Sequence, residues 1–279
     1  MSSRKVAFVF PPTVADEAPG VTIRRTIGGE RLVLLDPFLL LDHVTIDPAK
    51  SGGEVGFPRH PHRGIETLSY VLAGQVAHKD SLGNEGQVGP GGSQWMTAGN
   101  GIYHAEGLIP DDDGGEFLQL WFNLPRSQKR IPAAYVGAPA DTIPVVETEI
   151  YTVRVVAGTF ADATGPFRGI AVAPTVLDVY LSANQSITLP APAGETAFAY
   201  VTAGTLIADG KTAMTPELMA FTDGDDVTVS AGENGARFLF VAATPLNEPV
   251  LQYRSLVMNT VEDIRETLQM MEDGTFASA

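Results

Sequence analysis

Histidine is scarce in this chain, and three of its five copies stand at spacings that suit metal coordination. His60-Pro61-His62 sets two imidazoles two residues apart. On a β-strand, where side chains alternate between faces, both rings then lie on one face a few ångströms apart. Pro61 points to the opposite face, stiffens the backbone and donates no ladder hydrogen bond, so the segment must be a sheet edge or the first residues of a strand. His104-Ala105-Glu106 repeats the two-residue step, and Glu66 stands four after His62, on the same face again if the strand stays regular. Two adjacent strands could aim these faces at one point. Imidazoles with a carboxylate suit a divalent first-row transition metal, and spacing alone does not choose between Glu66 and Glu106 as the carboxylate. His43 and His78 each stand alone and read as hydrogen-bonding histidines of the surface or core. Phe57, Trp95 and Met96 are candidates to line an apolar cleft beside the site, with ordinary core as the competing reading.

The elements that must position these residues read as strands. The 29 Gly and 20 Pro are spread through the chain. Between them lie short segments rich in Val, Ile, Thr, Tyr and Phe, such as Glu66-Thr-Leu-Ser-Tyr-Val-Leu, Phe117-Leu-Gln-Leu-Trp-Phe-Asn, Val176-Leu-Asp-Val-Tyr-Leu and Arg237-Phe-Leu-Phe-Val. That pattern predicts an antiparallel sandwich or barrel. A helical period appears only at the end, where Val261, Ile264, Leu268 and Met271 form a stripe over about 260 to 272; Asn259 or Thr260 can cap its start and Gly274 close it. The proline-containing stretch from Leu124 to about Val145 looks like a crossover between two halves. An echo supports two copies of one β-unit: Ser69-Tyr-Val-Leu-Ala-Gly-Gln returns about 130 residues later as Ala199-Tyr-Val-Thr-Ala-Gly-Thr.

Composition bounds the function. Cysteine is absent, which excludes disulfides, cysteine-ligated zinc and cysteine nucleophiles, and fits a cytoplasmic protein. A formal charge of −15 repels phosphate backbones, so direct nucleic-acid binding is not expected. No apolar run approaches the ~18 residues of a membrane span. Pro11 and Pro12 interrupt the short apolar start before it reaches the length of a secretion signal, and Val6-Ala-Phe-Val-Phe is read as a first strand.

Two motifs carry a family resemblance. Gly56-x3-His60-x-His62-x3-Glu66-x7-Gly74 resembles the first conserved motif of cupins, and Pro90-x-Gly92 followed by His104 resembles the second, with a longer gap than usual. More narrowly, Asp36-Pro-Phe-Leu-Leu-Leu-Asp, Phe57-Pro-Arg-His-Pro-His-Arg-Gly-Ile-Glu-Thr, Gln94-Trp-Met-Thr-Ala-Gly-Asn-Gly-Ile-Tyr-His-Ala-Glu, Leu118-Gln-Leu-Trp-Phe-Asn-Leu and Val257-Met-Asn-Thr resemble the pirin family. The likeness is dense from about 33 to 135 and thinner through the second half. It implies an all-β bicupin, two double-stranded β-helix (jelly-roll) barrels with a short C-terminal helix. The expected division is a metal-binding barrel over residues 1–130 and a second barrel with the helix over 131–279. No histidine follows His104, so the second barrel is expected to be metal-free and structural.

The resemblance also implies a ligand set of His60, His62, His104 and Glu106, which settles the carboxylate by family pattern. Glu66 stands where many other cupins place a ligand and is kept as second choice, ligand or support. Iron(II) is the implied metal, with manganese, nickel, cobalt, copper and zinc as rivals. Several bacterial pirins are described as quercetin 2,3-dioxygenases. That implies a metal-dependent dioxygenase that opens the central ring of a flavonol-like aromatic substrate and releases carbon monoxide, with Glu106 as catalytic base. Other family members are described as redox-responsive regulators, which implies the alternative of a non-enzymatic, iron-dependent protein that binds a protein partner.

Overall fold

The computed structural model describes residues 3–52 and 55–277. Antiparallel strands dominate, and among the described residues one helix, Val261–Glu272, exceeds four residues. No described helix is long and apolar enough to cross a membrane. The chain forms two compact units, both β-rich as the turn-bounded segments predicted.

The histidine-bearing unit is made of Val14–Gly28, Phe38–Ala140 and Leu246–Ala279. Its larger sheet runs, in spatial order, Ala134–Ala138, Ser93–Thr97, Ile65–Ala73, Gly115–Asn123, Phe38–Ile46, Val21–Ile27 and Thr13–Ala18. The smaller sheet runs Val55–His62, Ile102–Ile109, Gln75–Asp80 and Glu85–Val88. Val55–His62 is therefore an edge strand, as Pro61 demands. Along Ile102–Ile109 burial alternates strictly, with Ile102, His104, Glu106 and Leu108 on the buried phase. Gln75–Asp80 buries Val76, His78 and Asp80 in the same way. Val21, Ile23, Val44, Ile46, Val71, Val76, Val88, Leu108 and Phe117 form one apolar cluster, and Leu39, Ile65, Met96, Ala98, Ile102 and Val257 another. Each such side chain contributes roughly 1.5–3 kcal/mol by leaving water, which is what holds the polar site between them.

The second unit is made of Met1–Thr13, Gly29–Pro37 and Asp141–Pro245. Its main sheet runs Val6–Phe10, Leu218–Phe221, Thr196–Ala208, Asp226–Ala243, Thr175–Leu181, Tyr151–Ala157 and Val145–Glu147. Its apolar core is built on Val153, Leu177, Val179, Val201, Val229, Phe238 and Phe240. The sequence echo is structural: Tyr70 and Tyr200 are both fully buried within strands. Gly74 and Gly204, which close the two phrases, both take left-handed backbone at φ 69° and 72°.

The division differs from a single cut at 130/131. Ala134–Ala138 pairs with Ser93–Thr97, so the first unit runs on to Ala140. The two ends of the chain are also exchanged. Val6–Phe10, the expected first strand, pairs with Leu218–Phe221 of the second unit, whereas Leu246 onward belongs to the first. The helix thus sits in the histidine-bearing unit, because its apolar stripe finds Leu256, Met258, Tyr103 and Phe276 there. Thr260 caps it: its Oγ1 accepts from the Asp263 N–H at 3.1 Å, and Asp263 Oδ2 accepts from the Thr260 N–H at 3.1 Å. Gly274 follows with φ 70°. Ile264 is buried, and Leu268 and Met271 pack as predicted, but Val261 is 47% exposed. Thr267 takes the buried place instead, because it serves a polar partner described below.

Candidate metal centre

The ladder brings the motif residues together. His104 lies opposite His60 on one side and Asp80 on the other, while Glu106 lies opposite Phe57 and His78. A bulge between His104 and Glu106 shifts the pairing near Pro58, whose missing N–H makes the ladder easy to interrupt there. Nε2 of His60 stands 2.9 Å from Nε2 of His62 and 3.1 Å from Nε2 of His104. The donor atoms of these three rings all lie within 4.8 Å of one another. The far sides of two rings are already engaged: His60 Nδ1 is 2.8 Å from the Pro58 carbonyl, and His104 Nδ1 is 3.4 Å from Nδ1 of His78. With the Nδ1 protons of His60 and His104 turned toward those partners, their two Nε2 lone pairs face one point, where Nε2 of His62 also lies. Such lone pairs repel unless a cation stands between them, so this donor set fits a transition-metal ion.

Electrostatics favour the neutral, ligating form. Burial, and then the neighbouring His60, pushes the His62 imidazole down to about 3, with the Ser255 backbone acting the other way. His104 is held well below the ordinary histidine range by burial and by its three histidine neighbours. Protons compete poorly for such rings, and a divalent ion correspondingly well.

The two glutamates stand in different places. Glu106 is buried, and its Oε1 accepts from Ser69 Oγ at 3.0 Å and from Gln94 Nε2 at 3.2 Å. Ser69 Oγ is also 2.7 Å from Gln119 Oε1, and its single proton serves one acceptor at a time. Burial pushes the Glu106 carboxyl above its ordinary range, against the Ser69 hydrogen bond and the nearby histidines. Glu106 borders the same cavity as His60 and His62 but is not one of the three groups that converge. Glu66 is buried and accepts from Thr97 Oγ1 at 2.7 Å, within the larger sheet. The regular strand that would have put it beside His62 does not exist. Gly64, at φ 75°, ends one strand and turns the chain into the other sheet, and a Cβ there would lie 1.9 Å from the Val257 carbonyl.

A cavity of about 230 Å³ opens on His60 and His62. Ile23, Leu40, Val44, Phe57, Phe117 and Trp121 give it apolar walls, and Arg25, Asp42, Gln119 and Glu106 its polar ones. Arg25 and Asp42 neutralise each other through a two-pronged pair at 2.8 and 2.5 Å. Of the three side chains expected at a cleft, Phe57 is there. Trp95 and Met96 are 2% exposed; Trp95 stacks on Phe122 at 4.9 Å, and Met96 belongs to the apolar core. Trp121, which sequence reasoning did not single out, takes their place and meets His62 edge-on at 5.0 Å.

His43 is a satisfied buried histidine, 2.7 Å from Glu116 Oε1. His78 is a hydrogen-bonder too, but it reaches the site. Its Nε2 lies 3.1 Å from Asp80 Oδ2, its Nδ1 faces His104, and its ring stacks on Tyr135 at 4.0 Å and 7°. Burial works against the charged Asp80, yet its bonds from Asn84 and His78 outweigh that and hold it below the usual carboxylate range. Burial, then the charges of Glu106 and Asp80, pushes the Tyr135 phenol up to about 12. It stays protonated and donates to Gln94 Oε1 at 2.8 Å, which turns the Gln94 amide N–H toward Glu106. The available signal is His78-Lys-Asp80, a third two-residue step.

The C-terminal segment braces the ligand strand. Ser255 Oγ donates to the Pro61 carbonyl at 2.5 Å, and the Val257 N–H donates to the Arg63 carbonyl at 3.0 Å. The fully buried Arg63 guanidinium donates to Thr267 Oγ1 and Asn100 Oδ1, both at 2.8 Å. Lys129 Nζ joins Gly64 and Val257 by donating to both carbonyls, at 2.8 and 3.0 Å.

Comparison with known proteins agrees with this architecture. The family model described as Pirin matches residues 20–122, and the Pirin C-terminal cupin domain matches residues 176–277. A Pseudomonas aeruginosa protein provisionally named quercetin 2,3-dioxygenase is 38% identical, over 94% of each chain. Pirin from Rattus norvegicus is 38% identical over 96% of this chain and 91% of its own. The crystal structure of a quercetin 2,3-dioxygenase from Acinetobacter baumannii is similar with a TM-score of 0.88 at 31% identity, covering 99% of both chains.

Proposed function

This chain belongs to the pirin family, and on that premise we propose that it is a metal-dependent dioxygenase of the quercetin 2,3-dioxygenase kind. The observation that carries the reading is three converging imidazoles, two of which, His60 and His62, border a largely apolar cavity with the buried Glu106 carboxyl at its wall. His60, His62 and His104, with Glu106 as fourth side chain, would hold iron(II) or a similar divalent ion. Such an ion supplies Lewis acidity toward a phenolic oxygen and a path for electrons between an aromatic substrate and dioxygen.

The chain's own residues do the rest. Phe57, Phe117, Leu40 and Trp121 pack against the flat faces of a flavonol and exclude water. Glu106, with its carboxyl raised, takes the 3-hydroxyl proton, and Ser69 and Gln94 hold the carboxylate in place. The Arg25–Asp42 pair leaves the wall without net charge, which suits a neutral phenol. The outcome is opening of the central ring with loss of carbon monoxide.

The cavity also favours a second reading. Its volume of about 230 Å³ falls below the roughly 300 Å³ at which small-molecule sites begin. A redox-responsive regulator, whose metal charge is sensed by a protein partner, needs no substrate volume. Anaerobic purification and metal analysis, followed by quercetin turnover with carbon monoxide detection, separate the two. The dioxygenase reading expects carbon monoxide in proportion to quercetin consumed, and only with oxygen. Untouched quercetin across fully loaded iron, manganese, nickel, cobalt and copper forms leaves the regulator.

A further inference from the structure

His78 and Asp80 have no part in binding substrate or metal in the reading above, yet both side chains are buried to 1% exposure or less directly behind His104. Their chemistry is constrained by atom identity. The His104 Nε2 is the atom turned to His60, so its proton resides on Nδ1 when the ring serves as a ligand. The partner there is Nδ1 of His78, at 3.4 Å, the long end of an N–H···N bond. For His78 Nδ1 to accept, its own proton must sit on Nε2, and that nitrogen points at Asp80 Oδ2 at 3.1 Å. One consistent set of protons therefore runs Asp80 ← His78 ← His104.

The arrangement is held from three sides. Asp80 Oδ1 accepts the backbone N–H groups of Leu82 and Asn84 at 2.9 and 3.0 Å, and Oδ2 accepts from Asn84 Nδ2 at 2.9 Å. Tyr135 lies flat against the His78 ring and fixes its plane. A Cβ on Gly86 would lie 2.2 Å from the Tyr135 hydroxyl, so a glycine is required there for Tyr135 to hold this place.

We propose that His78, oriented by Asp80 and Tyr135, is a positioning residue for the metal centre: it fixes the tautomer and plane of His104 and makes that imidazole a stronger donor. The proposal rests on the reading of His60, His62 and His104 as a metal site. An imidazole whose remote N–H is received by a carboxylate-backed acceptor is a more basic ligand, and losing such a partner typically lowers metal affinity 10–100-fold.

The test uses the full chain and cobalt(II), with affinity measured by chelator competition. His78→Phe keeps a flat ring against Tyr135 but loses the acceptor; the expected loss is about 10–100-fold, with a changed visible spectrum of the bound cobalt. His78→Gln offers an amide oxygen to His104 and should recover most of that affinity. A space-filling role alone would favour the Phe variant instead, so equal or better binding by His78→Phe overturns the proposal. A second measurement needs no variant. In the zinc-loaded wild type, nuclear magnetic resonance should show an exchange-protected His104 Nδ1 proton coupled to His78, and its absence also overturns the proposal. Failure of the two readings is distinguishable: a wild type that binds no cobalt sinks the metal site and this inference together, whereas tight binding indifferent to His78 sinks this inference alone.

Discussion

Tyr70 and Tyr200 occupy the same place in the repeated phrase and are both fully buried, but their surroundings diverge. The interior of the first unit holds His62, His104, Glu106, Ser69, Gln94 and Gln119, all 9% exposed or less. The second is built on a cluster of Val, Leu, Ile, Phe and Ala with Met219, and buries Arg4 and Asp178 besides. Related β-frameworks thus carry opposite contents. Each polar group buried in the first must be matched by a partner, as Ser69 and Gln94 match Glu106, or it costs about 1–3 kcal/mol. Among the described residues the second unit buries fewer such groups, and they are matched: Arg4 donates to the carbonyls of Ala191, Pro192, Glu195 and Thr222, and Arg237 pairs with Asp178.

That contrast can be broken at either end. The largest effect belongs to the ligands: His60→Ala or His104→Ala should take bound metal from about one ion per chain to none by elemental analysis, because two imidazoles do not replace three. Next, Phe240→Ala should destabilise the second unit by about 3–5 kcal/mol in denaturant unfolding, yet leave metal content unchanged; lost metal would mean the units do not divide the labour. Acid should sharpen the difference further. The His62 ring is depressed to about 3 in the folded chain, whereas in the unfolded chain it titrates near 6.5. The unfolded state then binds the extra proton, so metal-free protein should lose about 1.4 kcal/mol per pH unit from this ring as pH falls from about 6 toward 3. A flat stability profile there would show that the ring is not held neutral.

Smaller effects separate the carboxylates and the brace. Glu106→Gln should weaken metal binding about tenfold, or roughly 1.4 kcal/mol, and Glu66→Gln less, as read by chelator competition. The reverse order would place the fourth ligand on the other sheet. Thr260→Ala removes the helix cap and should cost about 1 kcal/mol of stability in the first unit, without changing metal stoichiometry.

What could be read from sequence follows from which distances are local. His60-Pro-His62 and His104-Ala-Glu106 were legible because strand side chains repeat every second residue, so the two-residue steps carried through to the folded chain. Glu66 misled because Gly64 intervenes: a four-residue count is meaningful only within one strand, and the left-handed turn moves it to another sheet. His78 reads correctly as a hydrogen-bonder, but its place beside the site does not show in sequence, because His104 and Tyr135 reach it by cross-strand register and ring stacking, which no linear spacing encodes. The same limit hid the exchange of chain ends. The helical stripe announced that Ile264, Leu268 and Met271 need an apolar partner, but it held no information on which sheet would provide one. Val261 fits the periodicity and yet faces outward, because Arg63 recruits Thr267 and so sets the helix's rotation.

Anomalous diffraction from crystals loaded with cobalt or nickel tests the central claim most directly. One strong peak per chain is expected, bounded by Nε2 of His60, His62 and His104, and no peak inside the second unit. A principal peak elsewhere, or none at these three nitrogens in fully loaded protein, would contradict it.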